Sequence, residues 1–465
     1  MKGLLKRYVG TPHFYRTVLA VAVPVMLQMS ITNLVSLLDN VMVGRLGTES
    51  MSGVSIVNQF VFVFNLMIFG ALSGAGIFTA QYHGKGDTDG VRNTFRLKII
   101  FTALISVGCV LIFLLCDDWL ISTFLHEEGT EGDLALAMSE AKRYMIYTVI
   151  GLIPYGLSQS YASTLRETGK TVVPMVSSFV AVGVNFTFNL ILIFGYLGFP
   201  AMGVAGAAIA TVFSRFVELG ILLIWTHTHS GRVGFISGAF RHVSIPAPLL
   251  KRVLIKGMPI LANELVWSIA ITLRNQCYST RGLEVLAAVS IATTVVNVLN
   301  VVHMSMGASI GIIIGNQLGA GEIERARDSA RKMTALGCVC ALAVGGIMVA
   351  LSKVFPMVYD VSAEVRDISS YMMVVSGAYM IFYAFNLCSY YTIRSGGRVL
   401  GVMMLDSGFM VAVAVPITAI AAYFTGVNIF VLYAVGQGTE MLKTVISAVM
   451  VRKYNWAKQM VKDGQ

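Results

Sequence analysis

Long apolar segments recur along this chain, and no other feature of the sequence constrains its fold as strongly. A helix needs about 20 apolar residues to cross the hydrocarbon core of a bilayer. Twelve segments reach that length, at roughly 17–40, 53–80, 97–116, 143–164, 173–196, 203–226, 253–277, 286–316, 333–352, 369–392, 400–424 and 428–451. Only helices and closed barrels satisfy the backbone inside a membrane, and these runs are too long and too continuous for barrel strands. The sequence therefore predicts an all-α membrane protein with twelve transmembrane helices.

Charged residues are scarce: they make up 12% of the 465 residues, whereas 56% are hydrophobic. A soluble domain carries roughly 25% charged residues, because its surface must be solvated. The formal net charge of +10 would suit a nucleic-acid partner, but the basic residues fall in short loops between apolar runs. We therefore predict the lipid bilayer as the main partner and no binding of nucleic acid.

The basic residues alternate between the two sides of the predicted membrane. Lys85 and Arg92 follow the second span, Arg327 and Arg331 follow the eighth, and the loop after the third span is instead acidic near Glu127. Cytoplasmic loops carry the excess of lysine and arginine in membrane proteins. The pattern predicts a multi-pass protein of a bacterial-type inner (plasma) membrane with both termini in the cytoplasm.

The two halves of the chain are related by an internal repeat. At a shift of 235 positions the matched pairs include Pro24 with Pro259, Gly47 with Gly282, Asn65 with Asn300 and Gly84 with Gly319, and at a shift of 228 they include Tyr155 with Tyr383 and Arg166 with Arg394. Because each half has an even number of spans, the halves share one orientation, and their pseudo-twofold axis runs along the membrane normal. We predict an N-terminal six-helix lobe at 1–226, a cytoplasmic linker at 227–252 and a C-terminal six-helix lobe at 253–465.

Several motifs at these positions resemble those of multidrug and toxic compound extrusion (MATE) transporters. The matching segments are Pro24, Leu38–Gly44 (LDNVMVG), Asn185–Asn189 (NFTFN), Pro259 with Glu264, and Gly315–Gly319 (GNQLG). The resemblance keeps its order over nearly the whole chain. It implies a secondary active efflux antiporter, not an enzyme, that exports cationic or amphipathic small molecules in exchange for Na+ or H+ by alternating access. It implies no cofactor besides the coupling ion, and we expect the chain to function as a monomer.

Four side chains within the spans are predicted to serve ion coupling. An ionisable side chain in a transmembrane helix costs roughly 2.5–3.5 kcal/mol on insertion scales, so each needs a reason. By the resemblance, Asp39 is the carboxylate that responds to the coupling ion; the alternative is an interfacial aspartate. Asn185 and Asn189 share a helix face and offer oxygen ligands for Na+ beside Asp39, although paired asparagines also hold helices together. Glu264 matches a further cation-binding acid of the sodium-coupled branch of the family.

The two halves differ in charge at equivalent positions. Arg274 occupies the repeat position of Asp39, either as a counter-charge or as an arginine that reaches the outer interface. Tyr383 stands where the sodium-coupled branch has a second acid. His303 could relay protons or simply pack within the eighth span.

Further polar side chains in the spans are predicted to face the substrate. The residues predicted to line the substrate cavity are Gln28, Asn58, Tyr155, Asn263, Asn300 and Tyr383. Four charged residues of later spans have surroundings that the sequence does not define: Arg215, Glu218, Asp406 and Glu440.

Other functional classes fit the sequence less well. A lipid-linked glycan flippase of the same superfamily is the main alternative, but it would favour a strongly basic cavity, whereas the charges within these spans are mixed. An intramembrane enzyme would need a nucleophile with a base or a metal cluster, and His303 is the single histidine well inside a span. Pumping driven by ATP is disfavoured, because the chain has no phosphate-binding G-x-x-x-x-G-K-[ST] loop.

Overall fold

The computed structural model describes residues 8–123, 134–241, 245–359 and 361–461, and every regular element in these ranges is helical. Twelve long helices, numbered here α1 to α12, are Pro12–Gly44, Thr48–Lys85, Thr88–Leu115, Leu134–Glu167, Val172–Phe194, Val204–Thr228, Ala247–Ser279, Leu283–Gly319, Ile323–Leu351, Ala363–Ser395, Val399–Tyr423 and Ile429–Lys453. The predicted acidic residue Glu127 and positions 242–244 of the predicted linker lie outside the described residues.

Ten of these helices are long and apolar enough to cross a membrane, as judged over the described residues. The other two are α4, with 34 residues, and α12, with 25 residues. Both exceed the length that a span requires, but no stretch of 18 residues within either is as apolar as the same standard demands. The all-α architecture with twelve long helices confirms the prediction from the apolar segments.

Glycine turns separate several of the helices. Gly86 before α3 and Gly321 before α9 both have positive φ, of 80° and 78°, a conformation that glycine adopts without a steric penalty. The side chain of Asp87 then accepts a hydrogen bond from the Gly90 amide at 2.8 Å and caps α3. As a result α3 begins at Thr88, nine residues before the apolar run that predicted it, and its first turns carry polar side chains.

The helices pack into two compact units. The first unit comprises Leu27–Thr79 and Asp87–Gly257, and the second comprises Met258–Gln465 with Met1–Met26 and Ala80–Gly86. The core of the first unit includes Phe64 and Ile68, which are 1% and 2% exposed. The boundaries of the two lobes at 226 and 253 remain predictions.

In the first unit, the predicted linker folds against α3. The ring of Phe235 is 1% exposed and lies 5.0 Å from the ring of Phe95. Arg96 donates hydrogen bonds to the carbonyl oxygens of Ala239 at 2.6 Å and Gly238 at 2.9 Å. Arg96 therefore fixes the segment that follows α6.

In the second unit, the chain that follows α12 is held in a similar way. Trp456 is 4% exposed. The side-chain amide of Gln81 donates to the carbonyl oxygen of Lys458 at 3.2 Å and accepts from the amide of Met460 at 2.7 Å. The end of α2 thus binds the residues that follow the last helix.

The C-terminal ends of α2 and α8, both in the second unit, approach each other at two glycines. A Cβ added at Gly84 would lie 1.8 Å from the carbonyl oxygen of Asn316, and one added at Gly319 would lie 1.9 Å from the carbonyl oxygen of Gln81. These four residues are equivalent in pairs at the repeat shift of 235. The contact is therefore reciprocal, and it requires glycine on both helices.

Helix α11 contains two π-helical segments, Met404–Gly408 and Met410–Ala414. A π-helical turn holds an extra residue and occurs frequently at functional sites. The first segment contains Asp406, one of the charged residues whose surroundings the sequence left open.

Candidate functional site

The candidate site is built around Asp39 in the second half of α1. The side-chain amide of Asn189 donates to Asp39 Oδ1 at 2.5 Å and to Asn185 Oδ1 at 3.1 Å. Asn185 and Asn189 lie one turn apart on α5 and are only 3% and 0% exposed. The structure therefore brings together the three residues that were predicted to form a Na+ site.

Helix α6 adds a residue that the sequence analysis missed. Asn185 Nδ2 donates to the hydroxyl of Thr211 at 3.2 Å. This contact turns the carboxamide oxygen of Asn185 toward Asn189. A threonine in an apolar helix gives no periodic signal of its own, and only the packing of α6 on α5 shows its part in the site.

One buried oxygen at this site is left without a partner. Asn189 Oδ1 is buried and accepts no hydrogen bond from any described residue. A buried carbonyl oxygen without a partner costs about 1–3 kcal/mol. The oxygens of Asp39, Asn185, Asn189 and Thr211 are hard donors of the kind that alkali and alkaline-earth cations prefer. The donor set therefore fits a small cation.

A cavity of about 60 Å³ opens beside Asp39. Its lining residues are Thr32, Val35, Asp39, Ser178, Ala181, Val182, Asn185, Thr211, Ser214, Arg215 and Glu218. A water molecule takes up about 30 Å³ in the liquid, whereas pockets for drug-sized ligands measure about 300–1,000 Å³. The cavity therefore has the size of a site for an ion with one or two waters.

The cavity lining is negatively charged. Asp39, Glu218 and Arg215 are its ionisable residues, and when all three are ionised the two carboxylates exceed the one guanidinium by a single negative charge. Glu218 is 3% exposed, accepts from the hydroxyl of Ser178 at 2.8 Å and pairs with Arg215 at 3.3 Å. Arg215 pairs with Glu218, so the negative charge in excess among these lining residues is assigned to Asp39.

Two of the predicted substrate-cavity residues belong to the same polar network. Gln28 Nε2 donates to Ser178 Oγ at 2.9 Å, and Arg166 donates to Gln28 Oε1 at 3.2 Å. The guanidinium of Arg215 lies 4.6 Å from the ring centroid of Tyr155, within the range of a cation–π interaction. Tyr155 thus contacts Arg215 directly, and Gln28 is linked to Glu218 through the hydroxyl of Ser178.

The second unit has a polar cluster of its own. Asp406 forms an ion pair with Lys443 at 2.7 Å and accepts from Asn263 Nδ2 at 3.0 Å. Glu264, predicted as a coupling acid, accepts from the hydroxyl of Tyr390 at 3.2 Å. Glu264 and Asn263, neighbours on α7, therefore contact different helices, and the acid bonded to Asn263 is Asp406.

The remaining predicted residues make no hydrogen bond to this ion pair within the part of the chain that the structure describes. His303 is 2% exposed, neither ring nitrogen has a partner among the described residues, and its ring stands edge-on to that of Tyr383 at 6.2 Å. Asn300 has a side-chain oxygen and Arg274 has an Nε that lack a partner in the same ranges. Asn58 on α2 is exposed. None of these arrangements assigns the residue a role, so their roles remain predictions.

Known proteins match the chain along almost its full length. It is 25% identical over 450 residues to the probable multidrug resistance protein NorM of Thermotoga maritima, which covers 96% of this chain and 93% of that relative. It is 22% identical over 456 residues to the probable multidrug resistance protein YoeA of Bacillus subtilis, which covers 97% and 96% of the two chains.

Solved structures share the fold. A crystal structure of a mutant of the Vibrio cholerae MATE transporter VcmN matches with a TM-score of 0.86 at 16% identity, and the match covers 96% of this chain and 98% of that chain. A transporter of the MOP superfamily from Pyrococcus furiosus matches with a TM-score of 0.84 at 18% identity, and the match covers 97% of each chain. The two-lobe, twelve-helix fold of these transporters is the fold of this chain.

The match to the family itself follows the internal repeat. The family profile described as MatE matches residues 24–191 and again residues 259–424, once in each half of the sequence. The two matches together cover more than half of the chain, and they begin at the repeated prolines Pro24 and Pro259. This chain therefore belongs to the MatE family, the multidrug and toxic compound extrusion transporters.

Proposed function

We propose that the chain is a secondary active exporter that exchanges a monovalent cation, Na+ or H+, for cationic or amphipathic small molecules. The observation that carries the proposal is the 60 Å³ cavity beside Asp39, whose ionisable residues leave one negative charge uncompensated. The relatives named as multidrug resistance proteins supply the class of substrate. A net charge of −1 suits one monovalent cation or one proton per cycle.

The site in the first unit would bind the cation through oxygen atoms. Asp39 supplies the charge, and Asn189 supplies the buried oxygen that lacks a partner. Asn185 is held in place by Thr211, and its oxygen, which accepts from Asn189 in the structure, would exchange that hydrogen bond for contact with the cation. Entry of a cation or of a proton removes the uncompensated charge, and this difference in charge is what distinguishes the two states of the site during exchange.

The stoichiometry sets a limit that can be measured. If one monovalent ion exchanges for one monovalent substrate, the exchange is electroneutral, and a tenfold ion gradient stores about 1.4 kcal/mol. A cationic dye in proteoliposomes should then accumulate up to about tenfold on the side with the higher ion concentration. We expect one of two gradients to drive this accumulation of dye: a Na+ gradient at equal pH, or a pH gradient without Na+.

Two variants connect this transport to the site. Asp39→Asn should abolish the gradient-driven accumulation, because the lining of the cavity becomes neutral. Asp328→Asn, a matched change at an exposed acid paired with Lys332 on α9, should leave the accumulation unchanged. The proposal fails if neither gradient moves the dye, or if Asp39→Asn retains full coupled accumulation.

We also propose, from the distribution of basic residues, that both termini lie in the cytoplasm and that the single chain is the working unit. The helix ends at the α2–α3 and α8–α9 turns carry Lys85, Arg92, Arg327 and Arg331, and they support the first statement through the positive-inside rule. The cation cavity is lined by residues of a single compact unit, which supports the second.

A further inference from the structure

The ion pair of Asp406 and Lys443 in the second unit is held by further hydrogen bonds. Lys443 is 8% exposed, and its ammonium contacts Asp406 Oδ1 at 2.7 Å. The other carboxylate oxygen of Asp406 accepts from Asn263 Nδ2 at 3.0 Å, and the amide of Ser407 donates to Asn263 Oδ1 at 3.2 Å. The π-helical segment at Met404–Gly408 places both the carboxylate and this backbone amide against α7. Asp406 is therefore held from two sides, with an ammonium at one oxygen.

The same set of positions forms the polar network of the first unit. At the repeat shift of 235, Gln28 corresponds to Asn263, and at the shift of 228, Ser178 corresponds to Asp406 and Arg215 to Lys443. The contact from Gln28 to Ser178, at 2.9 Å, corresponds to the contact from Asn263 to Asp406, at 3.0 Å. A basic residue of the lobe's last helix is thus bound to a carboxylate in both halves.

The charges of the two networks differ. In the first unit, Arg215 is matched by Glu218, and Asp39 adds a second carboxylate to the cavity lining. In the second unit, Asp406 is matched by Lys443, and the repeat position of Asp39 holds the basic residue Arg274. The lining of the first cavity therefore has one negative charge in excess, whereas the corresponding residues of the second unit have no negative charge in excess.

The other acids nearby have partners of their own. Glu264 accepts from Tyr390 and lies within electrostatic range of Arg394. The carboxylate of Glu440 accepts from Asn386 Nδ2 at 2.8 Å. Lys443 is therefore the basic group that compensates Asp406.

We propose that the ammonium of Lys443 occupies a cation site of the second lobe, so that this lobe carries its own tethered cation and takes up no free one. Lysine is suited to the place, because its ammonium is a compact single charge that contacts oxygen ligands as a small monovalent cation does. Removal of the ammonium should open a site for Na+ between Asp406 and Asn263. The inference rests on the proposed cation exchange only in the role that it gives to the first cavity. If both hold, ion coupling belongs to the first lobe alone.

The test counts bound Na+ in the purified protein at pH 8 with radioactive sodium. Lys443→Ala should bind one more Na+ per chain than the unsubstituted protein, and Asp406→Asn with Lys443→Ala should bind no more than it. The same comparison on an Asp39→Asn background separates the two sites: the single extra Na+ of Lys443→Ala should persist there. If the unsubstituted protein binds no Na+, the proposed Na+ site of the first cavity fails. The additional Na+ bound by Lys443→Ala tests the site of the second unit independently.

Thermal stability gives a second measurement, because Lys443→Ala leaves the buried carboxylate of Asp406 without its basic partner. This variant should melt at a higher temperature in sodium chloride than in choline chloride, and the neutral pair Asp406→Asn with Lys443→Ala should show no such difference. No increment in bound Na+ would overturn the inference. So would a Lys443→Ala protein that fails to fold in both salts while the neutral pair folds, because a free cation would then be unable to replace the tethered one.

Discussion

Replacement of Lys98 by methionine tests how far a buried charge in α3 depends on its partner. Lys98 is 0% exposed and forms an ion pair with Glu167, whose side chain is 15% exposed. Its ammonium also donates to the hydroxyls of Ser163 at 2.8 Å and Thr164 at 3.3 Å. The repeat supplies the substitute, because the position 235 residues further on holds Met333, which is also 0% exposed. Methionine is therefore known to fit this environment in the other half.

The expected loss comes from the charge that remains. Removal of one partner of a buried ion pair costs about 3–5 kcal/mol, because the other partner loses its nearest opposite charge. Glu167 keeps some contact with solvent, so the lower end of that range, about 3 kcal/mol, applies to Lys98→Met. A second change, Glu167→Gln, removes the charge as well, and Lys98→Met with Glu167→Gln should return to within about 1 kcal/mol of the unsubstituted protein.

Unfolding by sodium dodecyl sulfate in mixed micelles, followed by circular dichroism, measures these free energies. Lys332→Met is the control, since Lys332 pairs with Asp328 one turn away at the surface, where such a pair contributes about 0–1 kcal/mol. The reasoning is refuted if Lys98→Met unfolds like the control. It is also refuted if the double variant is as unstable as the single one, since the loss would then come from packing and not from charge.

Three further predictions concern other parts of the molecule. Gly84→Ala should destabilise the protein by about 1–3 kcal/mol, because the added methyl group would overlap the α8 backbone. Gly220→Ala, in a helix with open space around that glycine, should be neutral or stabilising. Equal unfolding midpoints of the two variants would contradict this prediction. Thr211→Val removes the acceptor of the Asn185 amide and should raise the ion concentration for half-maximal dye exchange about two- to tenfold, for a hydrogen bond of about 0.5–1.5 kcal/mol; an unchanged value would exclude Thr211 from the site. A membrane-impermeant maleimide should label the exposed Cys116 from outside intact cells, and the label should be lost in Cys116→Ser; labelling only after permeabilisation would reverse the proposed orientation.

The sequence alone was sufficient for the helices and for part of the candidate site. Apolar length is a strong determinant of membrane-spanning helices, since the bilayer offers the backbone no other partner. The i, i+4 spacing of Asn185 and Asn189 places both on one face of α5, and the structure sets that face against Asp39. The functional roles of these residues nevertheless remain proposals.

The contacts that depend on packing between helices were not predictable from the pattern. Thr211 joins the site only because of the register of α6 against α5. The ion pair of Asp406 and Lys443 depends on a π-helical segment that shifts the register of α11, and no periodicity in the apolar run shows it. The hydrogen bonds of the Asn263 side chain to Asp406 and to the backbone of Ser407 were likewise not predictable, and the place of Asn263 in the substrate cavity stays a prediction.

The reciprocal contact of α2 and α8 has a consequence for the origin of the protein. Gly84 lies against Asn316 as Gly319 lies against Gln81, and each partner is the repeat equivalent of the other. An isologous contact of this kind, in which the same patch meets itself across a twofold axis, is the form that a homodimer interface takes. A gene encoding one six-helix half could have supplied both sides of this contact from two identical chains. If the two halves arose by fusion of such a gene, each was free to change its charges separately, as at Asp39 and Arg274, while the glycines at the contact stayed alike.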